Sequence, residues 1–445
     1  MDSRNTNKDV DPAQGQLHGD TSWFVHDRFG MFIHWGIYAM NGFHASLRSQ
    51  QPIDEETYNR YFRHFEPDLF EPRDWARAAR RAGMKYFVVT TKHHDGFCLW
   101  DSKLTDFKAP NTPAGRDLLR PVVDAFRDEG LRVGFYYSLL DWHHPEFTID
   151  MIHPLRSHPD AVELNKRRDM ALYREYMYGQ IEELLTQFGR IDILFLDYSY
   201  THLTNDMGRG YVGKGREDWK SEELVRLVRT HQPNVILNDR LDLPESADLM
   251  TPEQQQPTVW PSRNGRRALW ETCQTINRGW GYNRDDPGPK SQKQMLERLI
   301  NSVSLGGNLL LNSGPTARGE LEPTFVAAVN TFSEWMHHHS RSIYGCTASS
   351  FASPADCRYT QNGKRLYVHI YDWPFRHLHL PGLAGRVEYA QLLNDASEIR
   401  FREYDTDTEQ DPDTTIPQVS AGTLVLELPI NQPDTLVPVI ELFLK

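Results

Sequence analysis

The run YFVVTTKHHDG at residues 86–96 places reactive side chains directly after an apolar stretch. Its first half is apolar and β-branched, which is typical of a buried strand. Lys92, His93, His94 and Asp95 follow this stretch. Two imidazoles and a carboxylate at a strand end gain no stability unless they contact a ligand, and strand ends are where substrates lie in parallel α/β sheets. We therefore expect a functional site here.

Other apolar runs also end in polar residues. An early run ends in His34 and Trp35, ILFLD ends in Asp197, and Arg240 closes the triplet NDR. Aromatic residues stand beside many of these positions, and flat apolar rings next to hydrogen-bonding groups suit a sugar, which has an apolar C–H face and a rim of hydroxyls. The aromatic candidates are Trp35, Phe97, Trp100, Tyr137, Trp142 and Trp280.

Hydrolysis of a sugar linkage needs two carboxyl groups that flank the anomeric carbon. Asp197 is the first candidate, because a buried strand would hold it rigidly. The second is either Glu253, in the loop sequence TPEQQQP, or Glu271, in WETC on a predicted strand. A loop lets an acid/base approach the leaving group from outside the sheet, which favours Glu253 and leaves Glu271 a supporting or structural role.

Helical and strand patterns alternate along roughly the first 340 residues. Apolar residues repeat at helical spacing up to a glycine, and an apolar run then follows. This alternation predicts right-handed βαβ units and a parallel sheet. The predicted helices span 72–82, 117–129, 164–188 and 221–230, and the predicted strands span 31–35, the run from 86, 131–139, 191–196, 235–237, 269–273 and 308–311.

At least seven strands favour a closed (β/α)8-like barrel over a doubly wound sheet, and no GxGxxG follows the first strand. After about Cys346 the pattern changes to short strands between Gly, Pro and Asn turns, with a polar loop at 405–415. We predict an α/β fold, with a (β/α)8-like TIM barrel at residues 1–340 and a small antiparallel β-sandwich at 341–445. The predicted strands of the second part are 366–371, 387–393, 423–428 and 436–443.

The composition argues against several classes of partner. A net charge of −12 without any basic run disfavours nucleic acid and anionic membranes, and no apolar run approaches the length of a membrane span. The first 20 residues are polar, which predicts no signal peptide and a cytoplasmic protein; if a signal had been trimmed from the chain, it would be secreted or periplasmic. The four cysteines form no CxxC pair, so we expect no redox motif and no zinc ribbon.

Motifs spread over nearly the whole chain carry a family resemblance. In the barrel they are FGMFIHWGIY (29–38), TTKHHDGFCLWDS (90–102), VGFYYSLLDW (133–142), DILFLDY (192–198), NDR (238–240), TPE (251–253), WETC with GWGY (270–282) and GGNLLLNSGP (306–315). In this order they resemble the α-L-fucosidases of glycoside hydrolase family 29, and KHHDGF with HWG is specific for them. LYVHIYDWP at 366–374 resembles the β-sandwich of that family.

The resemblance implies hydrolysis of terminal α-L-fucosyl linkages in oligosaccharides or glycoconjugates, with retention, through a covalent glycosyl intermediate and without a cofactor or metal. The nucleophile of the family ends a strand that reads like WFDG, which corresponds to Asp197 in FLDY. Its acid/base lies in the loop after NDR, which corresponds to Glu253. The implied fucose contacts are His34, His93, His94, Tyr137 (preferred to Tyr136), Arg240 and Trp280.

One departure from the family concerns GFHASLRS at 42–49. Many members carry a Glu-Trp pair shortly after the first strand, which contacts sugar hydroxyls. Phe43 and His44 stand near that place here. Because a site built around a hydroxyl discriminates through its buried polar groups, the glycone preference depends on whether His44 substitutes for the lost carboxylate.

Two other functions fit parts of the sequence. A metal-dependent barrel hydrolase would use His34, His93, His94, Asp95 and Asp197 as ligands. However, HW stands where such an enzyme has HxH on its first strand. A non-catalytic carbohydrate-binding relative is the second alternative, and the presence of both candidate carboxyl groups argues against it.

Overall fold

A sheet of seven parallel strands forms the centre of the N-terminal part of the protein. The structure is a computed structural model and describes residues 18–51, 53–202, 209–404 and 419–445. The strand order in the sheet is β5-β4-β3-β2-β1-β9-β8, and β6 and β7 form a separate hairpin. The strands are β1 (Phe29–Ile33), β2 (Tyr86–Lys92), β3 (Arg132–Ser138), β4 (Ile193–Asp197), β5 (Ile236–Leu237), β6 (Ser262–Arg263), β7 (Arg266–Arg267), β8 (Glu271–Thr275) and β9 (Asn308–Ser313).

Helices follow most of the strands, and the four predicted ones are present. The long helix begins later than predicted, at Met170, because the Asp169 side chain accepts from the Ala171 backbone N–H at 2.7 Å and caps it. Within the described ranges, none of the helices combines the length and apolar character that crossing a membrane requires. They are α1 (Phe24–Asp27), α2 (Leu47–Gln50), α3 (Glu55–His64), α4 (Pro72–Arg81), α5 (Leu119–Asp128), α6 (Ala161–Asn165), α7 (Met170–Gln187), α8 (Arg216–Trp219), α9 (Ser221–His231), α10 (Gln292–Ser304) and α11 (Pro323–His339).

Alternate residues of each strand belong to two different apolar clusters. Phe32, Tyr136 and Phe195 pack together inside the curled sheet, whereas their neighbours along the strands, such as Phe135 and Leu196, pack against the helices. Side chains point to opposite faces at every step of a strand, which explains the alternation. A polar residue at a strand end therefore faces the barrel interior only if its position has the right parity.

The segment 248–254 joins the two edge strands of the sheet. The backbone N–H groups of Asp248 and Leu249 donate to the Leu237 carbonyl at 2.9 and 3.3 Å. Farther along, the N–H of Gln254 donates to the Cys273 carbonyl at 3.0 Å, and Glu253 forms a parallel bridge with Cys273. The segment takes the place of a strand between β5 and β8, so the sheet closes into a barrel.

The C-terminal part contains two antiparallel sheets around an apolar core of their own, as predicted for a sandwich. The predicted loop at 405–415 and residues 1–17 lie outside the described residues. The domain boundary at residues 340/341 stays a prediction. The five-stranded sheet contains β10 (Thr347–Ala348), β11 (Cys357–Asn362), β12 (Arg365–Ile370), β14 (Val387–Leu392) and β17 (Val439–Leu444), and the other sheet contains β13 (His377–Leu380), β15 (Arg400–Glu403) and β16 (Leu424–Glu427).

Candidate active site

Polar side chains from several strands meet at the carboxyl-terminal edge of the barrel. His34 follows β1, His93 and His94 follow β2, and Asp197 is the last residue of β4. The ring centroids of His34 and His93 lie 5.6 Å apart, and those of His93 and His94 lie 4.1 Å apart. The barrel thus brings these predicted site residues together, because neighbouring parallel strands end at the same edge.

Asp197 is held by two donors. The Tyr136 hydroxyl donates to Oδ2 at 2.7 Å, and Nη1 of Arg240 donates to Oδ1 at 2.9 Å. The carboxylate continues the inward face of β4, two residues after Phe195, and only 11% of the side chain is exposed. Its two oxygens are therefore oriented toward the barrel axis by groups on neighbouring strands.

Arg240 also binds the second candidate carboxylate. The same Nη1 lies 2.9 Å from Oε2 of Glu253, and Nη2 donates to the Thr251 carbonyl at 3.1 Å. Burial by itself would lower the pKa of Arg240, but the carboxylates of Asp197 and Glu253 outweigh that effect and raise the pKa. The guanidinium stays charged and links the two acids.

Two histidines have their tautomers fixed by their neighbours. The Asn312 amide nitrogen donates to the Trp280 carbonyl at 2.7 Å, so its Oδ1 accepts from Nδ1 of His34, also at 2.7 Å. The Ser138 hydroxyl donates to a backbone carbonyl, so its oxygen accepts from Nδ1 of His94 at 2.7 Å. Nε2 of each ring therefore keeps a lone pair that can accept a hydrogen bond.

These histidines are neutral at ordinary pH. Burial lowers the pKa of His34 and of His94 to about 3, and it also lowers the pKa of His93 well below its ordinary value. Nδ1 of His93 is buried without a hydrogen-bond partner among the described residues. Because the three rings are uncharged, the cluster is suited to bind an uncharged polar molecule.

Trp280 lies against this cluster. Its ring stacks on His34 with 5.0 Å between centroids and an interplanar angle of 29°. His44 lies near the same place: a Cβ on Gly279 would stand 3.5 Å from its Cδ2, and Nδ1 accepts from the Ser46 N–H at 2.9 Å. Nε2 of His44 therefore carries the proton, and it lies 3.5 Å from the side-chain amide nitrogen of Gln50.

The structure places Tyr137 away from the cluster and Tyr136 in it. The Tyr137 hydroxyl donates to Oε1 of Gln180 at 2.8 Å, in the layer between the sheet and the helices, and Nζ of Lys92 lies 4.3 Å from its ring. Tyr136 is one step earlier on β3 and points inward. A change of one residue reverses the face of a strand, so the preference for Tyr137 is corrected to Tyr136.

Glu271 lies at the opposite end of the barrel. It is the first residue of β8, and it accepts a hydrogen bond from Tyr86, the first residue of β2. His93 follows the other end of β2. At about 3.3 Å per residue, the two ends of this strand lie about 20 Å apart. Burial raises the pKa of Glu271 to about 8, so the group is a protonated structural acid.

One of the five ligands of the alternative metal site, Asp95, lies away from the cluster. Asp95 accepts from the Tyr58 hydroxyl at 2.6 Å and from the Phe97 N–H, in a pocket of the helix layer. Nδ1 of His34 and of His94 have the protein partners described above. In the described part of the chain, no group of three or more His, Cys, Asp or Glu side chains is arranged to hold a metal ion.

Three residues that orient site side chains were not candidates in the sequence argument, although each lies within one of the motifs named there. Asn312, Ser138 and Thr251 orient His34, His94 and Arg240, respectively. Strand parity is the signal that could have identified the first two, because each is a polar residue in a buried strand. Thr251 is a partner only because its segment closes the barrel.

Comparisons with known proteins agree with this geometry. A family model described as "Alpha-L-fucosidase" matches residues 2–341. Tissue α-L-fucosidase of Bos taurus is 26% identical over 381 residues, which cover 79% of this chain and 75% of that protein. The sequence match thus includes the strands that supply the site.

Solved structures extend the similarity to nearly the whole chain. α-L-Fucosidase isoenzyme 1 from Paenibacillus thiaminolyticus is 43% identical, with a TM-score of 0.86 and coverage of 96% of this chain and 98% of that one. A trapped covalent intermediate of a family 29 α-L-fucosidase from Bacteroides thetaiotaomicron is 25% identical, with a TM-score of 0.78 and coverage of 99% and 98%. These matches confirm the predicted barrel-plus-sandwich fold. The chain belongs to the α-L-fucosidase family, glycoside hydrolase family 29.

Proposed function

We propose that the protein is a retaining exo-α-L-fucosidase that hydrolyses terminal α-L-fucosyl linkages of oligosaccharides or glycoconjugates. One observation carries the mechanism: Oδ1 of Asp197 and Oε2 of Glu253 each lie 2.9 Å from the same nitrogen, so these oxygens are at most twice that distance, 5.8 Å, apart. Retaining glycosidases separate their carboxyl groups by about 5–5.5 Å and inverting ones by about 6.5–9.5 Å. The spacing supports the two-step reaction, for which the Bacteroides relative provides a trapped covalent intermediate.

The difference in exposure supports the assignment of roles. Asp197 is 11% exposed and held on a strand end, which suits a nucleophile that attacks the anomeric carbon from inside the barrel. Glu253 is 42% exposed at the rim, which suits a group that gives its proton to the departing glycosidic oxygen. In the second step Glu253 takes a proton from water, the water oxygen bonds to the anomeric carbon, and the bond to Asp197 breaks.

The remaining groups bind the fucose ring in this proposal. The lone pairs on Nε2 of His34 and His94 accept from ring hydroxyls, and Arg240 donates to the sugar. The Trp280 ring meets the methyl side of the sugar. Tyr136 replaces Tyr137 as the tyrosine of the site, and its hydroxyl orients the nucleophile.

Proton NMR of the first product tests the stereochemistry. We expect 4-nitrophenyl α-L-fucoside to release α-L-fucose first, with the β anomer appearing only by later mutarotation. An initial β anomer would mean inversion, and the role of Asp197 in covalent catalysis would be lost. A panel of other aryl glycosides, measured in parallel, tests the preference for fucose.

The Asp197→Ala variant tests the nucleophile. Loss of a nucleophile lowers turnover by about 10³-fold or more. We expect azide to restore activity in part by attacking in place of the carboxylate, with β-L-fucosyl azide as the product. Turnover near that of the wild type, or rescue that yields the α-azide, would remove Asp197 from this role.

A further inference from the structure

Tyr198, the residue after the candidate nucleophile, has an unusual backbone. Its φ is +90°, whereas the other described non-glycine residues with positive φ lie between +47° and +62°. The narrow left-handed region allowed to ordinary residues covers about +50° to +70°. A bulky aromatic residue at +90° is strained, and such strain persists where the surroundings fix the backbone, most often at functional sites.

Hydrogen bonds fix the chain on both sides of Tyr198. The carbonyl of Asp197 accepts from the Leu139 N–H at 2.9 Å. On the other side, the Ser199 hydroxyl donates to the Arg240 carbonyl at 2.7 Å and accepts from Nε1 of Trp219 at 3.0 Å. The conformation at Tyr198 is therefore imposed, and a glycine would adopt it without strain.

The Tyr198 ring lies beside the candidate site. It packs edge-on against His94, with 5.1 Å between centroids and an angle of 76°, and against Tyr200 at 5.2 Å. His94 and Tyr200 are buried, whereas Tyr198 is only partly buried. None of the described residues hydrogen-bonds the Tyr198 hydroxyl, and part of the residue is exposed to solvent.

The negative charges of both carboxylates act on the Tyr198 phenol. Burial raises the pKa of Tyr198, and the charges of Asp197 and Glu253 raise it further. In the proposed reaction the scissile bond lies between these two carboxyl groups. Tyr198 directly follows Asp197, and its partly exposed ring packs against His94, so the ring borders the candidate site. An aromatic face is suited to the C–H face of a pyranose.

We propose that Tyr198 is a specificity-determining residue whose ring forms a wall of the subsite for the leaving sugar. This inference rests on the proposed fucosidase activity. The strained tyrosine is retained because its ring contacts a leaving group that has a pyranose ring. A leaving group without a ring gains nothing from this contact.

The test compares α-L-fucosyl fluoride, whose leaving group has no ring, with fucosyl disaccharides linked 1→2 to galactose and 1→3, 1→4 or 1→6 to N-acetylglucosamine. For the disaccharide that the wild type cleaves best, we expect Tyr198→Ala to lower kcat/KM about tenfold, with less than about threefold change for the fluoride. Tyr198→Phe keeps the ring and should stay within about twofold on both substrates.

A second variant separates the ring from the backbone strain. Tyr198→Gly should lose selectivity as Tyr198→Ala does. Its Tm should be at least as high as that of Tyr198→Ala, because glycine tolerates the imposed φ. Ala396→Gly, at an exposed turn with φ +61°, is the matched control and should leave the substrate ratio unchanged.

Equal losses on fluoride and disaccharide, or no loss on either, would overturn the inference while leaving the fucosidase activity intact. A wild type that cleaves no fucoside at all would overturn the proposed function and this inference together.

Discussion

At the scale of single residues, Arg240 decides the geometry of the candidate site. One of its nitrogens contacts both carboxylates, at 2.9 Å each. Without this guanidinium two like charges would stand within about 6 Å in a partly buried site, which is unfavourable. The sequence predicted the residue types, but only the structure shows that a single positive charge holds both acids.

The two neighbouring tyrosines of β3 form a matched pair for a test at this scale. Tyr136→Phe removes the hydrogen bond to Asp197, and hydrogen bonds to charged groups contribute about 1.5–3 kcal/mol, so we expect kcat to fall roughly tenfold to hundredfold. Tyr137→Phe removes only the bond to Gln180. It should lower Tm slightly and leave kcat unchanged. If Tyr137→Phe lost as much activity as Tyr136→Phe, the correction made from strand parity would fail.

Glu253 is tested through the leaving group. A general acid contributes about 10²–10⁴-fold when the leaving group is poor. Glu253→Gln should therefore lose that much on fucosyl disaccharides but form the glycosyl intermediate from fucosyl fluoride at nearly the rate of the wild type. Azide should rescue Glu253→Ala with formation of α-L-fucosyl azide, the opposite anomer to that from Asp197→Ala. Equal losses on both substrates would exclude Glu253 as the acid/base.

At the scale of elements, most of the barrel follows from the sequence and its closure does not. The apolar runs and the glycines that end helices predict the strands and helices, because apolar residues repeat with a different period in each kind of element. The segment 248–254 has no such period, since MTPEQ at 250–254 contains three polar residues and a proline in five positions. It pairs with β8 because two edge strands would otherwise stay open, which is a property of the assembled sheet.

The Gln254 side chain anchors this segment next to Glu253. Its Nε2 donates to the Thr275 hydroxyl at 2.8 Å, at the end of β8. Gln254→Ala removes the anchor, and the loss of one such bond, about 0.5–1.5 kcal/mol, should lower kcat/KM for fucosyl disaccharides about threefold to tenfold. Hydrolysis of fucosyl fluoride should change less, because it needs no proton from Glu253. Gln255→Ala, at the exposed neighbouring residue, is the control and should match the wild type.

At the scale of the whole molecule, the topology was predictable and the buried charges were not. Regular alternation of helix and strand is enough to predict a parallel barrel, and the change of pattern after Cys346 is enough to predict a second, antiparallel part. Which carboxyl groups become buried depends on contacts between distant strands. Burial raises the pKa of Asp95 to about 6, of Glu322 to about 7 and of Glu271 to about 8.

Glu271 makes stability depend on pH in a defined window. The pKa of this group is about 8 in the folded protein and 4.5 ordinarily. Below pH 4.5 both states hold the proton. Between pH 4.5 and 8 only the folded state holds it, so the stability that Glu271 contributes falls as pH rises, and above pH 8 the loss is complete.

Glu271→Gln removes this titration and keeps an acceptor for Tyr86. We expect the Tm of the variant to rise relative to the wild type by about 5 °C between pH 5 and pH 8 and then to level off, because a shift of this size is worth a few kcal/mol. Thermal unfolding across that range measures it, with Glu388→Gln on an exposed position of β14 as the control. The kcat of Glu271→Gln should match the wild type, because the carboxyl lies at the end of the barrel opposite the site. A Tm difference independent of pH would show that Glu271 is ionised in the folded protein, and a loss of turnover would return it to the list of candidate acids.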